Sequence, residues 1–414
     1  MFLRKNPKLS LGLSLGVSLA LVGCDSASDL EVGESNEAVT DVNHTDVERQ
    51  SIGNCWLYSQ ATWVESMVLT GTGNEIDVSQ SYWTYWHWFD QVTGFAPPNE
   101  IQTGGFQFTS HQIVRDRGVM LEESFVPEDA LAEMSDRQSD ALSAINTALE
   151  NGDFDNANGE KVRQIFDDAW GLSADVRAQL DRAFGEDGER TLRQGASLTG
   201  TDILDPSQMM VQYTENEAGD PKTRDASLVE AISDWNEVRY PFNASSRRQF
   251  LKRVQRALHD GQPVVITWNV DFNALENRAG EREGSFNLKT LEEVGEPGRQ
   301  GGHMTVLEDY AVETVEFGLL EAGVTLDPSD STDARKLEAA LRDDSKIVLL
   351  RTKNSWGGAR PDRKFAPGFP GYHDLYMDYM NGPIRFCPSV DDKSGDNCTG
   401  EATPLRAVML PPGY

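Results

Sequence analysis

The chain has 414 residues, enough for one large or two modest domains. With 38% apolar residues it can bury a real core, which excludes a globally disordered chain. Lys and Arg number 37 against 67 Asp and Glu; the formal net charge of −30 repels phosphate backbones and anionic lipid surfaces, so no nucleic-acid partner is expected.

The first residues set the expected compartment. Arg4, Lys5 and Lys8 form a basic start, and Leu9 to Val22 follows as an apolar run. The run is too short for a comfortable membrane span and fits an export signal over 1–23. It ends in Leu21-Val22-Gly23-Cys24, which resembles the lipobox of bacterial lipoproteins. That resemblance implies cleavage before Cys24, acylation of Cys24, and an exported protein lipid-anchored to a membrane of the bacterial cell envelope. An ordinary signal peptide with an incidental Cys is the alternative. Residues 24–45 are small, polar and acidic and read as a tether.

Residues 46–127 read as a helical lobe. Leu57, Ala61, Val64 and Val68 recur at helical spacing over Cys55 to Leu69, and Thr70-Gly71-Thr72-Gly73 stops the helix. Ser79 to Phe89 is an aromatic-dense second helix, its rings expected in the core. Residues 110–118 read as a third short helix. Residues 128–245 are polar, acidic and mostly helical in pattern, with turn-rich breaks, and read as a large insertion.

Residues 246–414 change character. Ser246-x-x-Gln249 is a capping box opening a helix with Phe250, Val254 and Leu258 on one face. Strands are expected at Pro263 to Trp268, Met304 to Val312, Lys346 to Lys353 and Tyr372 to Met380. Helices first and strands last argue for an α+β protein with a helical lobe and a sheet or barrel lobe.

Three polar groups carry candidate chemistry. Cys55 stands at the mouth of the first helix, where free backbone N–H groups and a nearby imidazolium would lower its pKa. Of six histidines, His303 follows Gln300-Gly301-Gly302 at a strand mouth. His44 falls in the tether, His87 and His111 on polar helix faces, His259 at a helix C-terminus, and His373 along a strand. Asn354, in Asn354-Ser355-Trp356-Gly357, ends a strand; an Asn oxygen there can accept an imidazole N–H and fix its tautomer.

Cys-Trp-Leu-Tyr-Ser (55–59), His303 before an apolar strand, and Asn-Ser-Trp-Gly (354–357) resemble the three blocks of papain-like cysteine peptidases, in the family's order. Val78 to Tyr82, Gly104-Gly105, Ile113 to Val119 and Gly371-Tyr372 resemble blocks of its bleomycin-hydrolase branch. The resemblance implies a two-lobe papain-like fold and peptide-bond hydrolysis through an acyl-thioester. Cys55 would be the nucleophile, His303 the base and then the acid, Asn354 the group that orients His303, and Gln50 an oxyanion donor beside the Cys55 amide. Gly104 and Gly105 would pair with substrate backbone, Gly302 would leave the pocket roomy, and Trp356 would shield the His–Asn bond. The implied partner is a peptide or protein substrate, with no cofactor and no metal. A catalytically silent papain-fold binding module and an acyl-transferring transpeptidase or transamidase are the alternatives.

Several features depart from that pattern. Gln50 precedes Cys55 by five residues, one fewer than the family usually shows. His303 and Asn354 are 51 residues apart because of an added stretch, Glu313 to Asp344. Its acidic cluster, Asp327 to Asp333, lacks EF-hand spacing and reads as a loop and helix cap. Residues 25–49 are too few for the family's inhibitory prodomain, and the tail Leu410 to Tyr414 is a candidate to lie near the cleft. In an exported chain Cys387 and Cys398 are expected to form a disulfide, contributing about 2–3 kcal/mol in the chain-entropy model.

Overall fold

The computed structural model describes residues 42–217, 219–324, 326–387, 398 and 400–414. The expected signal segment, Cys24 and most of the expected tether lie outside the described residues. Residues 42–45 are not tether-like: Val42 is buried, and His44 Nε2 stands 2.6 Å from Glu308 Oε2. Among the described residues no helix is long and apolar enough to cross a membrane.

Helix α1 (Cys55–Thr72) ends on Gly73, whose left-handed backbone (φ 72°) closes the last turn. Helix α2 (Gln80–Thr93) starts where the Ser79 hydroxyl accepts the Tyr82 amide. Helices α3 (Gln107–Arg117) and α4 (Glu122–Phe125) follow. Then α5 (Asp136–Asn151), α6 (Gly159–Ala169) and α7 (Ala174–Phe184) pack over α2. Trp86 meets Phe184 edge-on at 4.9 Å, and Tyr85 donates to Asp167 at 2.7 Å. This cover explains the density of rings in α2: Tyr82, Trp83, Tyr85, Trp86, Trp88 and Phe89 are all buried, as expected of core rings, and only Asp90 and Thr93 are exposed.

The stretch 128–245 is less helical than its pattern suggests. Strands β1 (Met210–Glu217) and β2 (Asp220–Ser227) form an antiparallel hairpin, with Val211 and Tyr213 inward. The solvent-facing side chains of Asp220 to Arg224 hide the second strand's alternation. Helix α8 (Leu228–Asp234) and strand β3 (Asn236–Arg239) complete the stretch.

Helix α9 (Ala244–His259) begins two residues before the expected capping box, because Asn243 already accepts the Ser245 amide. Next come β4 (Val265–Asp271), β5 (Ser285–Phe286), α10 (Leu288–Val294), β6 (Gln300–Thr314) and β7 (Gly318–Leu320). Helix α11 (Ser331–Ala340) is capped by Asp330, so that end of the acidic cluster is a loop and cap as read. Strands β8 (Lys346–Lys353) and β9 (Tyr372–Tyr376) follow. Helix α12 (Met377–Asn381) takes over where a longer strand is expected, because Met377 and Met380 share one buried face. Strands β10 (Ile384–Arg385), β11 (Glu401–Ala402) and β12 (Leu405–Leu410) end the chain.

The main sheet runs β3-β12-β4-β6-β8-β9-β5, with β7 on β6; its pairs are antiparallel except β5 with β9. Fold class is therefore α+β, a helical lobe against a sheet lobe. Strand β6 serves two cores. Met304 and Val306 join the helical core around α1, whereas Leu307, Tyr310 and Val312 join the core under α9. The seam between lobes thus runs along α1 and β6. The tail is held elsewhere: Tyr414 donates to Asp260, and Pro412 O accepts the Asn216 amide.

Candidate active site

Cys55 opens α1 as a buried free thiol, 8% exposed. The preceding Asn54 does not cap the helix with its side chain. Its amide nitrogen instead donates to Thr84 Oγ1 (3.0 Å) and Gln138 Oε1 (2.9 Å). The first-turn amides of Cys55 and Trp56 are left facing the sulfur, and the Met304 amide of β6 joins them. These donors favour a thiolate, but burial outweighs them and pushes the thiol up to about 11. The expectation of a lowered thiol pKa is therefore corrected: the helix terminus is aimed as expected, and desolvation overrides it.

His303 sits on β6 opposite Trp268, one residue before Met304, and is 4% exposed. Its Nε2 donates to Asn354 Oδ1 at 2.8 Å, and the Ser355 amide donates to the same oxygen at 2.8 Å. An amide oxygen only accepts, so Nε2 carries the proton and Nδ1 keeps its lone pair. Trp356 stacks on the ring, 4.7 Å between centres and 17° between planes. Burial holds the imidazole down to about 4, with the Asn354 bond opposing. Burial thus disfavours a lone charge on the sulfur and a lone charge on the ring.

Asn354 ends β8, where its amide bonds to Gly371 O at 3.1 Å. Segment 48–50 is stitched to the same turn: Gln50 N donates to Ser355 O (3.0 Å), and Gly357 N to Glu48 O (3.0 Å). The Gln50 side chain lies there too. Ser355 Oγ donates to its oxygen at 2.7 Å, and its Nε2 spends one proton on Ile52 O at 2.6 Å. One side-chain proton of Gln50 remains.

Gly104 and Gly105 flank α1 through Trp56, whose Nε1 donates to Thr103 O at 3.0 Å. A Cβ on Gly105 would stand 2.4 Å from the Trp56 indole, so the backbone needs glycine to lie this close. A Cβ on Gly104 or Gly302 meets nothing within 4 Å, and both face open space. Cys387 and Cys398 are bonded, S–S 2.05 Å. No group of three or more His, Cys, Asp or Glu fit to hold a metal occurs among the described residues.

The other histidines divide. His111 is buried against Trp63 rather than on a polar face, and His87 meets Trp56 edge-on at 4.8 Å. His259 partners the Tyr310 hydroxyl. His373 bonds Asn354, a relationship its place along a strand gave no reason to expect. Gln138, fully buried on α5, braces the residue before Cys55 and also escaped the sequence reading.

No protein-family model and no curated protein sequence matches the chain. Among solved structures, the chain is similar to xylellain, a cysteine protease from Xylella fastidiosa (TM-score 0.37, 11% identity, 91% of this chain and 87% of that one). It is also similar to the bromelain protease from Ananas comosus in complex with the E64 inhibitor (0.32, 13%, 89% and 94%). A third is the clostridial cysteine protease Cwp84 (0.33, 10%, 91% and 59%).

Proposed function

We propose that the chain is a papain-like cysteine peptidase, nearest in its motif blocks to the bleomycin-hydrolase branch, that hydrolyses peptide or protein substrates. The observation that carries this reading is the 2.8 Å His303–Asn354 bond, made on the strand whose next amide faces the Cys55 sulfur. In the proposed reaction, His303 Nδ1 takes the thiol proton and the sulfur attacks the scissile carbonyl carbon. The oxyanion receives the Cys55 amide and the remaining Gln50 proton. His303 returns its proton to the nitrogen as the C–N bond breaks, leaving an acyl-thioester; water, deprotonated by His303, then releases the acid. Cys55→Ala should abolish both peptide hydrolysis and labelling by a thiol-directed epoxide. Equal labelling of the variant sinks the reading.

Export and lipid anchoring belong to the same proposal and rest on Leu21 to Cys24. Cys24→Ala should lose incorporated fatty acid and leave the membrane fraction; unchanged partition refutes the anchor.

A catalytically silent binding module is the second reading, favoured by the buried thiol and by the Gln50 proton spent on Ile52. It requires no turnover on any peptide. A turnover assay with the Cys55→Ala control decides between the two.

A further inference from the structure

A chain with a formal charge of −30 gathers arginines beside its candidate catalytic imidazole. Trp356, stacked on His303, carries the Arg363 guanidinium 4.3 Å from its ring centre. Arg363 is also 4.9 Å from the Phe272 ring, and Arg299 lies 4.6 Å from that same ring. Two cations therefore share one aromatic ring, two contacts away from His303. Arg49 bridges to Trp356 through its backbone, and its charge reaches Arg363 together with those of Arg360 and Arg299.

The neighbouring acids are mostly engaged. Asp362 holds Arg360 through two bonds (2.7 and 2.6 Å) and lies 3.6 Å from Arg363. Glu133 accepts the Gly358 amide. Arg299 is exposed and has no carboxylate partner among the described residues, and Arg363 Nη1 is buried without a hydrogen-bond partner. Like charges gathered on one ring, with an unsatisfied N–H among them, are stabilised by an anionic acceptor.

The proposed chemistry says which part of a substrate reaches this wall. His303 protonates the leaving amine, so the segment after the scissile bond departs past His303 and Trp356. The acyl segment lies on the other side, along Gly104 and Gly105. We infer that Arg299 and Arg363, flanking Phe272, form a subsite for a carboxylate on the leaving side of the substrate. This rests on the peptidase reading. A carboxylate there comes from an acidic side chain or from the peptide's C-terminus, and a guanidinium fork matches either. Arg363 also lines, with Arg360, Lys364, Phe365 and Glu283, an open hollow of about 490 Å³, in which Glu283 is held by Lys364 at 3.3 Å.

Calorimetric binding to the Cys55→Ala protein tests the subsite apart from catalysis. Three peptides share one sequence up to the scissile bond and continue with Ala-amide, Glu-amide, or Ala bearing a free carboxylate. At least one carboxylate peptide should bind about tenfold tighter than the Ala-amide peptide. Arg299→Ala should erase the advantage and Arg299→Glu reverse it; the exposed Arg299 side chain makes no hydrogen bond among the described residues, so neither change threatens the fold. Preference confined to Glu-amide assigns the side chain, and preference confined to the free acid assigns the terminus. Equal binding of all three, no binding of any, or an advantage that survives Arg299→Glu overturns the inference. Hydrolysis by the wild-type protein is scored separately. Cleavage without preference defeats only the subsite, and preference without cleavage defeats only the peptidase reading.

Discussion

Asn354 and His373 are bonded: the Asn354 amide nitrogen lies 3.3 Å from His373 Nδ1. With His303 on its oxygen, the Asn354 amide is held at both ends by imidazoles. Because His373 Nδ1 accepts, its proton sits on Nε2, which is buried without a partner. Burial holds His373 down to about 3, so it stays neutral across ordinary pH. On the proposed peptidase reading, His373 is a positioning residue that fixes which way Asn354 points, and through it the His303 tautomer. In His373→Phe the amide loses that anchor, and kcat should fall about tenfold with KM nearly unchanged. His373→Asn, which keeps an acceptor, should recover part of the loss. A fall confined to thermal stability, with kcat intact, counts against the assignment.

The two glycines beside α1 predict opposite outcomes. Gly105→Ala drives a methyl to 2.4 Å from the Trp56 indole, next to Cys55. Overpacking of this kind typically costs about 1–3 kcal/mol, and here it pushes on the residue after Cys55. Gly104→Ala meets open space and should leave thermal stability unchanged. Thermal midpoints compare the pair; similar losses in both would contradict the close approach seen only at Gly105.

Much of this site was legible because its signals are local. A helix mouth at Cys55 and a strand ending at Asn354 are each written in a few consecutive residues, and β8 runs from Lys346 to Lys353 as its pattern suggests, whereas β6 opens at Gln300, three residues before the expected mouth at His303, because Gln300 to Gly302 already pair with β4. The missed residues act across the chain. Gln138 reaches Asn54 from 84 positions away, and neither amide carries a periodic signal. The β1–β2 hairpin was hidden because one strand lies mostly in solvent and reads as acidic loop. The thiol pKa was misread for a related reason. The helix terminus is visible in sequence, whereas the burial that outweighs it comes from the β6 strand laid over α1.

That burial makes a kinetic prediction. A thiol near 11 and an imidazole near 4 are both neutral in the free protein at neutral pH. At pH 7 roughly one sulfur in ten thousand would be a thiolate. Alkylation of Cys55 by iodoacetamide should therefore keep climbing with pH well past about 9, without a plateau on the acid side. A rate already flat from about pH 5 would mean a preformed thiolate–imidazolium pair, and the free protein would have to differ from this arrangement.

Behind the site, the same seam buries more acid than base. Glu65 accepts from Thr45 (2.6 Å) and from the Val78 amide (2.9 Å), and Glu48 accepts from Gln80. Lys353 supplies a cation beside them, its Nζ 3.1 Å from Thr45 Oγ1. Burial raises Glu48, Glu65 and Glu122 above the carboxylate range; Glu48 adds to the shift of Glu122, and Lys353 opposes those of Glu48 and Glu65. Carboxylates raised in the folded state contribute stability that is fully present below their unfolded pKa and is lost as pH rises through the folded one. Lys353 is lowered by burial, so its contribution is present above the ordinary lysine value and is lost as pH falls. The buried histidines, His303 and His373 among them, are lowered and act in the opposite sense below about pH 6.5, so the carboxylate contribution is read as the difference between the wild-type protein and a variant. Glu122→Gln, which cannot ionise, should raise the thermal midpoint over the wild type by more near neutral pH than in acid. Lys353→Met removes the cation that opposes the shifts of Glu48 and Glu65 and should lower the midpoint more near neutral pH than in acid. A Glu122→Gln difference in midpoint that does not change with pH would show that Glu122 is ionised without strain, and that the seam is wetter than its packing indicates.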